Sequence, residues 1–373
     1  MEKINVLQFI CPSGFYGAEM WILGLTKYLN QERINCQLAI TRESEGQNLE
    51  LYNRFTSLGL NAHQLLMRGR FDPRVVRKLC QLIKENQIKI IHTHGYKSDI
   101  LGIIAARLTG IKAVGTPHGF ENAPNRKLQL FIHLGCRALK HFDRVTPLSE
   151  ELKSDMERID IRANRLKLIM NGVDLAEVEE EKNNPSTPIY PDGGEKKIGY
   201  VGQIAYRKNV GDLLNAFNML YQEHKNVRLI LIGDGPQRKE LEERSRNLDS
   251  SGKIEFRGFR NDRLRYLKEM DLFSITSSLE GIPRCMMEAM VMEIPVAAYD
   301  IPGVNKLIIQ EQTGLMAPFG QVEALKRCWE RLLYDKEFSS RIARNGRKHV
   351  VENFSAKRMA EEYMNLYEEM VKK

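Results

Sequence analysis

Residues 272–298 read LFSITSSLEGIPRCMMEAMVMEIPVAA, and this stretch contains the unit from which the fold is built. Its apolar runs at 272–276 and 295–298 predict two strands, and the spacing of apolar residues over 284–292 predicts a helix between them. Consecutive parallel strands are joined by a crossover of this kind. The stretch therefore predicts an α/β protein whose parallel sheet is covered by helices on both faces.

The same alternation runs through both halves of the chain, with a polar segment between them. Further strands are predicted at 5–10, 37–41, 89–92, 113–116, 144–147, 167–170, 197–201, 228–232 and 254–257. Further helices are predicted at 18–29, 73–85, 98–109, 128–140, 210–221, 237–248 and 262–270. Residues 179–197, EEEKNNPSTPIYPDGGEKK, contain almost no apolar side chain and are typical of a linker.

These patterns predict two facing Rossmann-like domains, each a doubly wound parallel sheet, with an interdomain cleft. The expected boundaries are 1–180 for the N-terminal domain, 181–196 for the linker and 197–355 for the C-terminal domain. A closing helix at 356–373 is expected to pack back on the N-terminal domain. Ligands of doubly wound sheets bind beyond the carboxyl ends of the strands, so the strand-to-helix loops are expected to carry the chemistry.

Composition narrows the class of protein. The 373 residues are 42% hydrophobic, which suits about two globular domains and excludes a disordered chain. No apolar run approaches the ~18 residues of a membrane span, and the N-terminus does not have the pattern of a signal peptide. Six scattered cysteines without a Cys-x-x-Cys pair indicate neither a zinc site nor a disulfide framework, and favour a cytoplasmic location. The net charge of +8 permits contact with phosphates, but the chain lacks a nucleic-acid-binding module, so no nucleic acid is expected as partner.

The loop before the helix at 284–292 is the strongest candidate site. Gly281 permits a tight turn, Pro283 suits the first turn of a helix, and the free N–H groups of that turn suit a phosphate. Glu280 precedes the helix, and Glu288 lies within it among apolar neighbours. A carboxylate in such surroundings needs a donor, which could be a sugar hydroxyl or, alternatively, a protein arginine or a backbone amide.

This loop and helix resemble the E-x7-E motif of glycosyltransferase family 4, also called group 1, whose members are retaining enzymes of the GT-B architecture. Residues 200–209, YVGQIAYRKN, resemble the family segment in which an arginine and a lysine hold the donor diphosphate. Lys208 matches the lysine, but Gln203 replaces the arginine, so either Arg207 compensates or the diphosphate is held more weakly. The family also has counterparts of the turn at 233–236, GDGP, of the turn at 256–258, FRG, and of the Gly17-Ala18-Glu19 loop.

The resemblance implies retaining, metal-independent transfer of a sugar of the hexosyl type from a nucleotide-diphosphate sugar to a hydroxyl acceptor. The acceptor would be a glycan or a lipid-linked glycan in the synthesis of cell-surface polysaccharide. His118 and Glu280 would be catalytic, with Glu280 on hydroxyls of the donor sugar and Glu288 on the ribose. The remaining donor-binding residues would be Gly17, Arg207, Lys208, Gly233, Asp234, Arg257, Gly258, Gly281, Ile282 and Pro283. No cofactor and no metal are expected, since the chain has no Asp-x-Asp pair and the nucleotide sugar is itself a substrate.

The acceptor is expected on the N-terminal domain, near His94, Arg126 and Arg137. Basic residues at helical spacing predict a charged helix face that could meet an anionic membrane or a lipid diphosphate; they are Arg126, His133, Arg137, Lys140 and Arg144. The location would then be peripheral, at the inner face of the cell membrane. The alternative is an ordinary solvated helix face. Two other functions also remain open: an epimerase of the GT-B class that binds a nucleotide sugar, and a non-catalytic binding protein.

Overall fold

The computed structural model describes residues 3–12, 14–69, 72–118, 126–190 and 193–372, without the side chains of 126–128. It divides into two compact units. The first comprises Met1–Gly172 together with Ala356–Lys373, and the second comprises Val173–Ser355. Among the described residues, no helix combines the length and the apolar composition of a membrane-spanning segment.

The first unit is a six-stranded parallel sheet with helices on both faces. Its strands are β1 (Ile4–Ile10), β2 (Ile34–Arg42), β3 (Ala62–Leu66), β4 (Ile90–His94), β5 (Lys112–Gly115) and β6 (Arg144–Val145), in the order β3-β2-β1-β4-β5-β6. Its first six helices are α1 (Gly17–Tyr28), α2 (Glu50–Ser57), α3 (Arg74–Glu85), α4 (Tyr96–Thr109), α5 (Arg126–Leu139) and α6 (Glu150–Arg158). The order reverses at β1, which lies between β2 and β4, so this sheet has the doubly wound topology with its switch point at β1 and β4.

The second unit repeats this topology. Its helices are α7 (Leu175–Asn183), α8 (Val210–Glu223), α9 (Arg238–Arg246), α10 (Arg263–Leu267), α11 (Arg284–Val291), α12 (Val304–Leu307), α13 (Val322–Tyr334) and α14 (Lys336–Asn353). Its strands are β7 (Lys196–Val201), β8 (Val227–Ile232), β9 (Ile254–Gly258), β10 (Leu272–Ile275), β11 (Val296–Asp300) and β12 (Leu315–Pro318), in the order β12-β11-β10-β7-β8-β9. The switch point lies between β7 and β10, which places the loops that follow these two strands side by side.

The last helix, α15 (Ala356–Lys372), belongs to the first unit. Its buried face, which includes Met359, Tyr363 and Tyr367, joins the same core as Trp21 of α1 and Ile90 of β4. Alternation along the strands decides which residues meet this helix. In β1, residues 4, 6 and 10 face the core shared by α1 and α15, whereas residues 7 and 9 face the opposite core.

The α/β class with two parallel sheets is confirmed, but several boundaries differ from the sequence analysis. The first unit ends at Gly172 rather than at 180, and the segment expected as a linker, 181–196, lies inside the second unit. The reason is α7, whose acidic side chains pair within that unit: Glu177 lies 3.0 Å from Arg284, and Glu181 lies 3.0 Å from Lys268. The strand predicted at 167–170 is absent and is replaced by one bridge between Val145 and Leu166.

Candidate active site

Two loops of the second unit are tied together beyond the carboxyl ends of β7 and β10. The Thr276 hydroxyl donates to the carbonyl oxygen of Asn209 over 2.9 Å and to that of Lys208 over 3.1 Å. The amide of Ser278 donates to the carbonyl of Arg207 over 2.8 Å. These bonds form because β7 and β10 are neighbours in the sheet, and they bring segments about seventy residues apart in sequence into one place.

Lys208 and Glu280 form an ion pair at this junction. Both side chains are mostly buried, with exposures of 13% for Lys208 and 9% for Glu280. The Ser277 hydroxyl donates a second hydrogen bond, of 2.6 Å, to the same carboxylate oxygen of Glu280. A charge so poorly hydrated needs an opposite charge and further hydrogen bonds, and Glu280 has both. Two residues predicted for different tasks, diphosphate binding and catalysis, are thus in direct contact.

Arg207 adds a second cation beside Lys208. Its backbone carbonyl is held by Ser278, while its half-exposed side chain makes neither a hydrogen bond nor an ion pair with the other described residues. Gln203, which stands at the family arginine position, is exposed. The loop therefore carries one ion-paired cation, Lys208, and a second cation, Arg207, whose side chain has no partner among the described residues.

A third loop, after β8, joins this junction through glycine. Gly233 has φ +141°, and a Cβ there would lie 1.8 Å from the carbonyl oxygen of Gly202, so no other residue fits. The amide of Gly233 donates to the carbonyl of Gly258 over 2.8 Å, and the amide of Ile204 donates to that of Asp234 over 3.0 Å. The predicted base-binding turn is therefore packed against the loop that carries Arg207 and Lys208.

The side chains of Asp234 and Arg257 contact neighbouring protein side chains. The Asp234 carboxylate is mostly exposed and lies 3.0 Å from Arg238. Arg257 pairs with Glu255 and lies over the ring of Tyr190, with 5.4 Å between the guanidinium carbon and the ring centroid. Gly258 has φ +69° and ends β9. Both turns are thus fixed by local contacts, and the bond from Gly233 to Gly258 joins them to each other.

Glu288 is 1% exposed and is held by two arginines. Arg263 donates over 2.6 Å and 3.2 Å to its two oxygens, and Arg284 donates over 2.8 Å. Burial raises the pKa of this carboxyl, but the two guanidinium groups outweigh burial and hold the pKa below its ordinary value. Of the partners left open by the sequence, protein arginines are the ones present. Ribose binding by Glu288 stays a prediction.

The same helix begins at residue 284, as the sequence analysis predicted, and Pro283 lies just before its first turn. Pro283 has extended backbone and is the residue before α11, whose first residue is Arg284. Gly281 and Ile282 are the two residues before Pro283, and Ile282 is buried. A Cβ at Gly303 would lie 1.7 Å from the carbonyl oxygen of Gly281, so the chain after β11 backs this loop closely. The loop is therefore closely packed where it leads into the N-terminus of α11.

In the first unit, His118 follows β5 and contacts His94 of β4, with 3.1 Å between His118 Nε2 and His94 Nδ1. The ring of Trp21 packs against both imidazoles. Burial lowers the pKa of His118 to about 4 and that of His94 well below its ordinary value, so both rings are neutral at pH 7. Gly17 is the first residue of α1, and apart from its own helix and chain neighbours none of the described residues lies within 4 Å of the position its Cβ would take.

Comparison with known proteins identifies the family of this chain. The model of glycosyl transferases group 1 matches residues 181–349, and the model of glycosyltransferase family 4 matches residues 15–177. The chain belongs to the group 1, family 4 glycosyltransferases. A galactosyltransferase of Escherichia coli, named UDP-Gal:alpha-D-GlcNAc-diphosphoundecaprenol alpha-1,3-galactosyltransferase, is 26% identical over 80% of this chain and 80% of its own length. CapM of Staphylococcus aureus, a capsular polysaccharide biosynthesis glycosyltransferase, is 21% identical over 94% of this chain and 93% of its own.

Solved structures agree on the GT-B fold of this glycosyltransferase. Anabaena HepE in complex with UDP superposes with a TM-score of 0.82 and 18% identity, covering 98% of this chain and 100% of HepE. Sucrose-phosphate synthase of Thermosynechococcus elongatus has a TM-score of 0.80 and 18% identity, covering 98% of this chain and 99% of its own. At these identities the likeness establishes the fold alone.

The residues predicted for the acceptor of the glycosyltransferase are dispersed. His94 is buried and both its ring nitrogens are hydrogen-bonded, to His118 and to Gln8, which leaves no nitrogen free for an acceptor. Arg137 is exposed on α5, and the side chain of Arg126 lies outside the described residues. Arg144 does not extend the basic helix face, because α5 ends at Leu139 and Arg144 begins β6.

One cluster of metal-ligand side chains occurs in the described part of the glycosyltransferase, formed by Glu223, His224 and Glu330. Lys326 lies 2.6 Å from Glu223 and 2.7 Å from Glu330, so one cation of the protein already pairs with both carboxylates. Glu223 is the last residue of α8, and Lys208 lies just before the first residue of that helix. About 20 Å of helix therefore separates the two residues. The cluster is therefore separate from the candidate active site.

Sequence reasoning missed the two arginines of Glu288. Arg284 stands four residues before Glu288, a spacing that places both on one helix face and could have been recognised. Arg263 comes from a different helix and carried no sequence signal. Gln8 and Tyr367, which complete the surroundings of the histidines, were also missed.

Proposed function

We propose that this glycosyltransferase transfers a sugar from a nucleotide-diphosphate sugar to a hydroxyl acceptor, with retention of anomeric configuration and without a metal. The observation that carries the proposal is the buried pair of Lys208 and Glu280, where the loops after β7, β8 and β10 converge. Two cations, one carboxylate and the start of a helix meet at the edge where doubly wound sheets bind ligands.

The cations suit the leaving group. Negative charge grows on the nucleotide diphosphate as the glycosidic bond breaks, and preorganised positive groups stabilise that charge. Glu280 orients Lys208 but also offsets part of its charge. Arg207, which has no partner among the described residues, supplies the charge that Gln203 lacks. Together with the N-terminus of α11 they take the place of a divalent metal.

The other roles follow the chemistry of each group. Glu280 would accept hydrogen bonds from hydroxyls of the donor sugar, and Glu288, held by its arginines, would accept from the ribose. Gly233, Asp234, Arg257 and Gly258 would frame the base, largely through backbone groups. Gly281, Ile282 and Pro283 would bring backbone to the phosphates. In the first unit, Gly17 and His118 would contact the donor.

The relatives suggest where to begin. The Escherichia coli galactosyltransferase is named for a UDP-sugar donor and a lipid-diphosphate acceptor, and HepE was solved with UDP. We therefore place UDP-sugars first among donors and a glycan or lipid-linked glycan first among acceptors, in the synthesis of surface polysaccharide. An epimerase would instead return an altered nucleotide sugar, and a binding protein would bind the nucleotide sugar without consuming it.

A peripheral contact with an anionic membrane is part of the proposal. The neighbouring helices α4 and α5 expose four large apolar side chains that the sequence analysis did not single out: Ile104, Leu108, Leu130 and Leu134. Arg107 and Arg137 are exposed on the same two helices. Apolar groups flanked by cations suit the interface of an anionic bilayer.

Thermal unfolding in the presence of EDTA tests the donor site. Wild type is heated with UDP-, GDP-, ADP- and CDP-sugars, and one of them should stabilise the fold by about 2.7 kcal/mol at 100 times its dissociation constant. Lys208→Met should lose that shift. The matched control is Lys268→Met, since Lys268 is equally buried at 14% exposure and also ion-paired, but to Glu181 of α7. Loss of the shift in both variants, or no shift with any donor, would argue against the site.

The same preparation tests the membrane contact. Wild type should sediment with vesicles that contain anionic lipid and not with vesicles of zwitterionic lipid alone, and Leu130→Glu with Leu134→Glu should abolish sedimentation. Equal sedimentation of this variant and the wild type would remove α5 from the proposal.

A further inference from the structure

A continuous line of buried polar side chains crosses the first unit behind His118. Gln8 of β1 pairs in register with His92 of β4, and the alternation of both strands turns Gln8, His92 and His94 toward the face that α1 and α15 cover. Tyr367 of α15 reaches this face from the far end of the chain. Four polar side chains inside an apolar core are costly unless each is hydrogen-bonded.

The outer half of the line links His118 to Tyr367. His118 Nε2 lies 3.1 Å from His94 Nδ1, and His94 Nε2 lies 2.8 Å from Gln8 Oε1. The amide nitrogen of Gln8 donates to the hydroxyl oxygen of Tyr367 over 3.3 Å. Each of the atoms named on this path has a partner in the line, whereas Nδ1 of His118 bonds to none of the described residues.

The inner half continues from Tyr367 to the backbone. The Tyr367 hydroxyl lies 2.7 Å from His92 Nδ1, and His92 Nε2 lies 2.6 Å from the Thr116 hydroxyl. Thr116 lies 2.5 Å from the hydroxyl of Thr146, which donates to the carbonyl oxygen of Gly115 over 3.3 Å. A carbonyl can only accept, so the line has a defined end.

Gln8 gives the line its direction. Its amide is the one side chain in the line whose donor and acceptor atoms are fixed by covalent structure, whereas a neutral histidine can exchange the two roles between its nitrogens and a hydroxyl can fill both. Its oxygen faces His94, so His94 Nε2 must carry a proton and, in the neutral ring, His94 Nδ1 carries none. His118 Nε2 must then donate to His94. On the other side the Gln8 amide nitrogen donates to Tyr367, which is left to donate to His92.

We propose that Gln8 and Tyr367 are positioning residues, which hold His118 in the tautomer with its proton on Nε2 and a free lone pair on Nδ1. The inference deepens the proposed function and rests on the role given there to His118. An acceptor at Nδ1 receives a hydrogen bond from a sugar hydroxyl and supports positive charge at the reacting carbon, whereas the opposite tautomer would present a donor. The last helix of the chain thereby contributes to the site.

Nuclear magnetic resonance of the full chain labelled with ¹⁵N-histidine tests this directly. The two ring nitrogens of each tautomer have distinct chemical shifts, and His118→Gln identifies the His118 signals among those of the eight histidines. Wild-type His118 should show a proton on Nε2. In Tyr367→Phe the Gln8 amide loses its hydrogen-bond partner, so both tautomers should appear, and kcat should fall by about 10-fold, part of the 10²–10³-fold that one preorganised hydrogen-bonding group contributes.

The matched control is Tyr363→Phe. Tyr363 lies one turn before Tyr367 on α15, is equally buried, and bonds to Thr116 and Thr146 as a side branch. Its loss leaves the path from Thr116 through Thr146 to Gly115 intact. His118 should therefore keep its proton on Nε2, and kcat should stay within about 2-fold of the wild-type value. A wild-type proton on Nδ1, or equal changes in both variants, would overturn the inference. The tautomer result stands apart from activity, so an absence of sugar transfer by wild type would refute the proposed function instead.

Discussion

Replacing Lys208 by methionine should lower kcat/KM for the donor by about 10²–10³-fold, the loss typical of removing one preorganised group from a developing negative charge. Methionine keeps the length of the side chain and removes only the ammonium group. The effect should appear in kcat as well as in KM, because charge on the diphosphate grows as the bond to the sugar breaks. Release of the nucleotide, followed with the donor that stabilises wild type, measures both constants.

Stability has to be separated from chemistry in this experiment. Lys208→Met leaves the Glu280 carboxylate with Ser277 as its remaining partner, so the variant should also unfold more easily. The double variant Lys208→Met with Glu280→Gln removes the unpaired charge and should regain much of that stability without regaining activity. Lys268→Met is the control for a buried ion-paired lysine elsewhere in the unit. A Lys208→Met enzyme with normal kcat/KM would remove Lys208 from the donor site.

Glu288→Ala should lower the free energy of unfolding by about 3–5 kcal/mol, because it strips two largely buried arginines of their common partner. Arg263 and Arg284 have exposures of 14% and 21% and both bind this one carboxylate. Urea unfolding of wild type and variant measures the difference. This expectation also means that lost donor binding in Glu288→Ala would not by itself identify a ribose contact.

The control for this variant is Glu177→Ala. Glu177 is the outer carboxylate of the same network, 3.0 Å from Arg284 and 3.9 Å from Arg263, and its side chain is 36% exposed. Both arginines keep Glu288 when it is lost, so the cost should stay within about 1 kcal/mol. Equal losses for the two variants would show that burial of Glu288 does not set its contribution.

Much of the fold was predictable because buried parallel strands have short, continuous apolar sequences. The two strands missed by the sequence analysis, β3 and β12, lie at sheet edges and lack that signal: β3 reads AHQLL, and β12 reads LMAP with a proline at its end. The strand expected at 167–170 failed for a related reason. Its neighbour β6 has only two residues, which gives a further strand little to pair with.

The site was predictable in its residue types and not in its contacts. The E-x7-E spacing drew attention to Glu280 and Glu288, but their partners Lys208 and Arg263 are distant in sequence and are brought there by the order of the strands. His92 and His94 stand two residues apart on β4, so both side chains lie on the same face of the sheet. Their ring nitrogens bond to partners that the spacing does not reveal, among them Gln8 and Tyr367, which come from opposite ends of the chain.

The most direct test of retaining, metal-independent transfer needs no knowledge of the acceptor. The enzyme is incubated in EDTA with the donor that stabilises it, water serves as a slow acceptor, and proton nuclear magnetic resonance follows the anomeric signal of the released sugar before mutarotation. The account predicts that the first sugar released has the same anomeric configuration as the donor, and that Lys208→Met releases it far more slowly. First release of the opposite anomer, or turnover that appears only when a divalent cation is added, would contradict it.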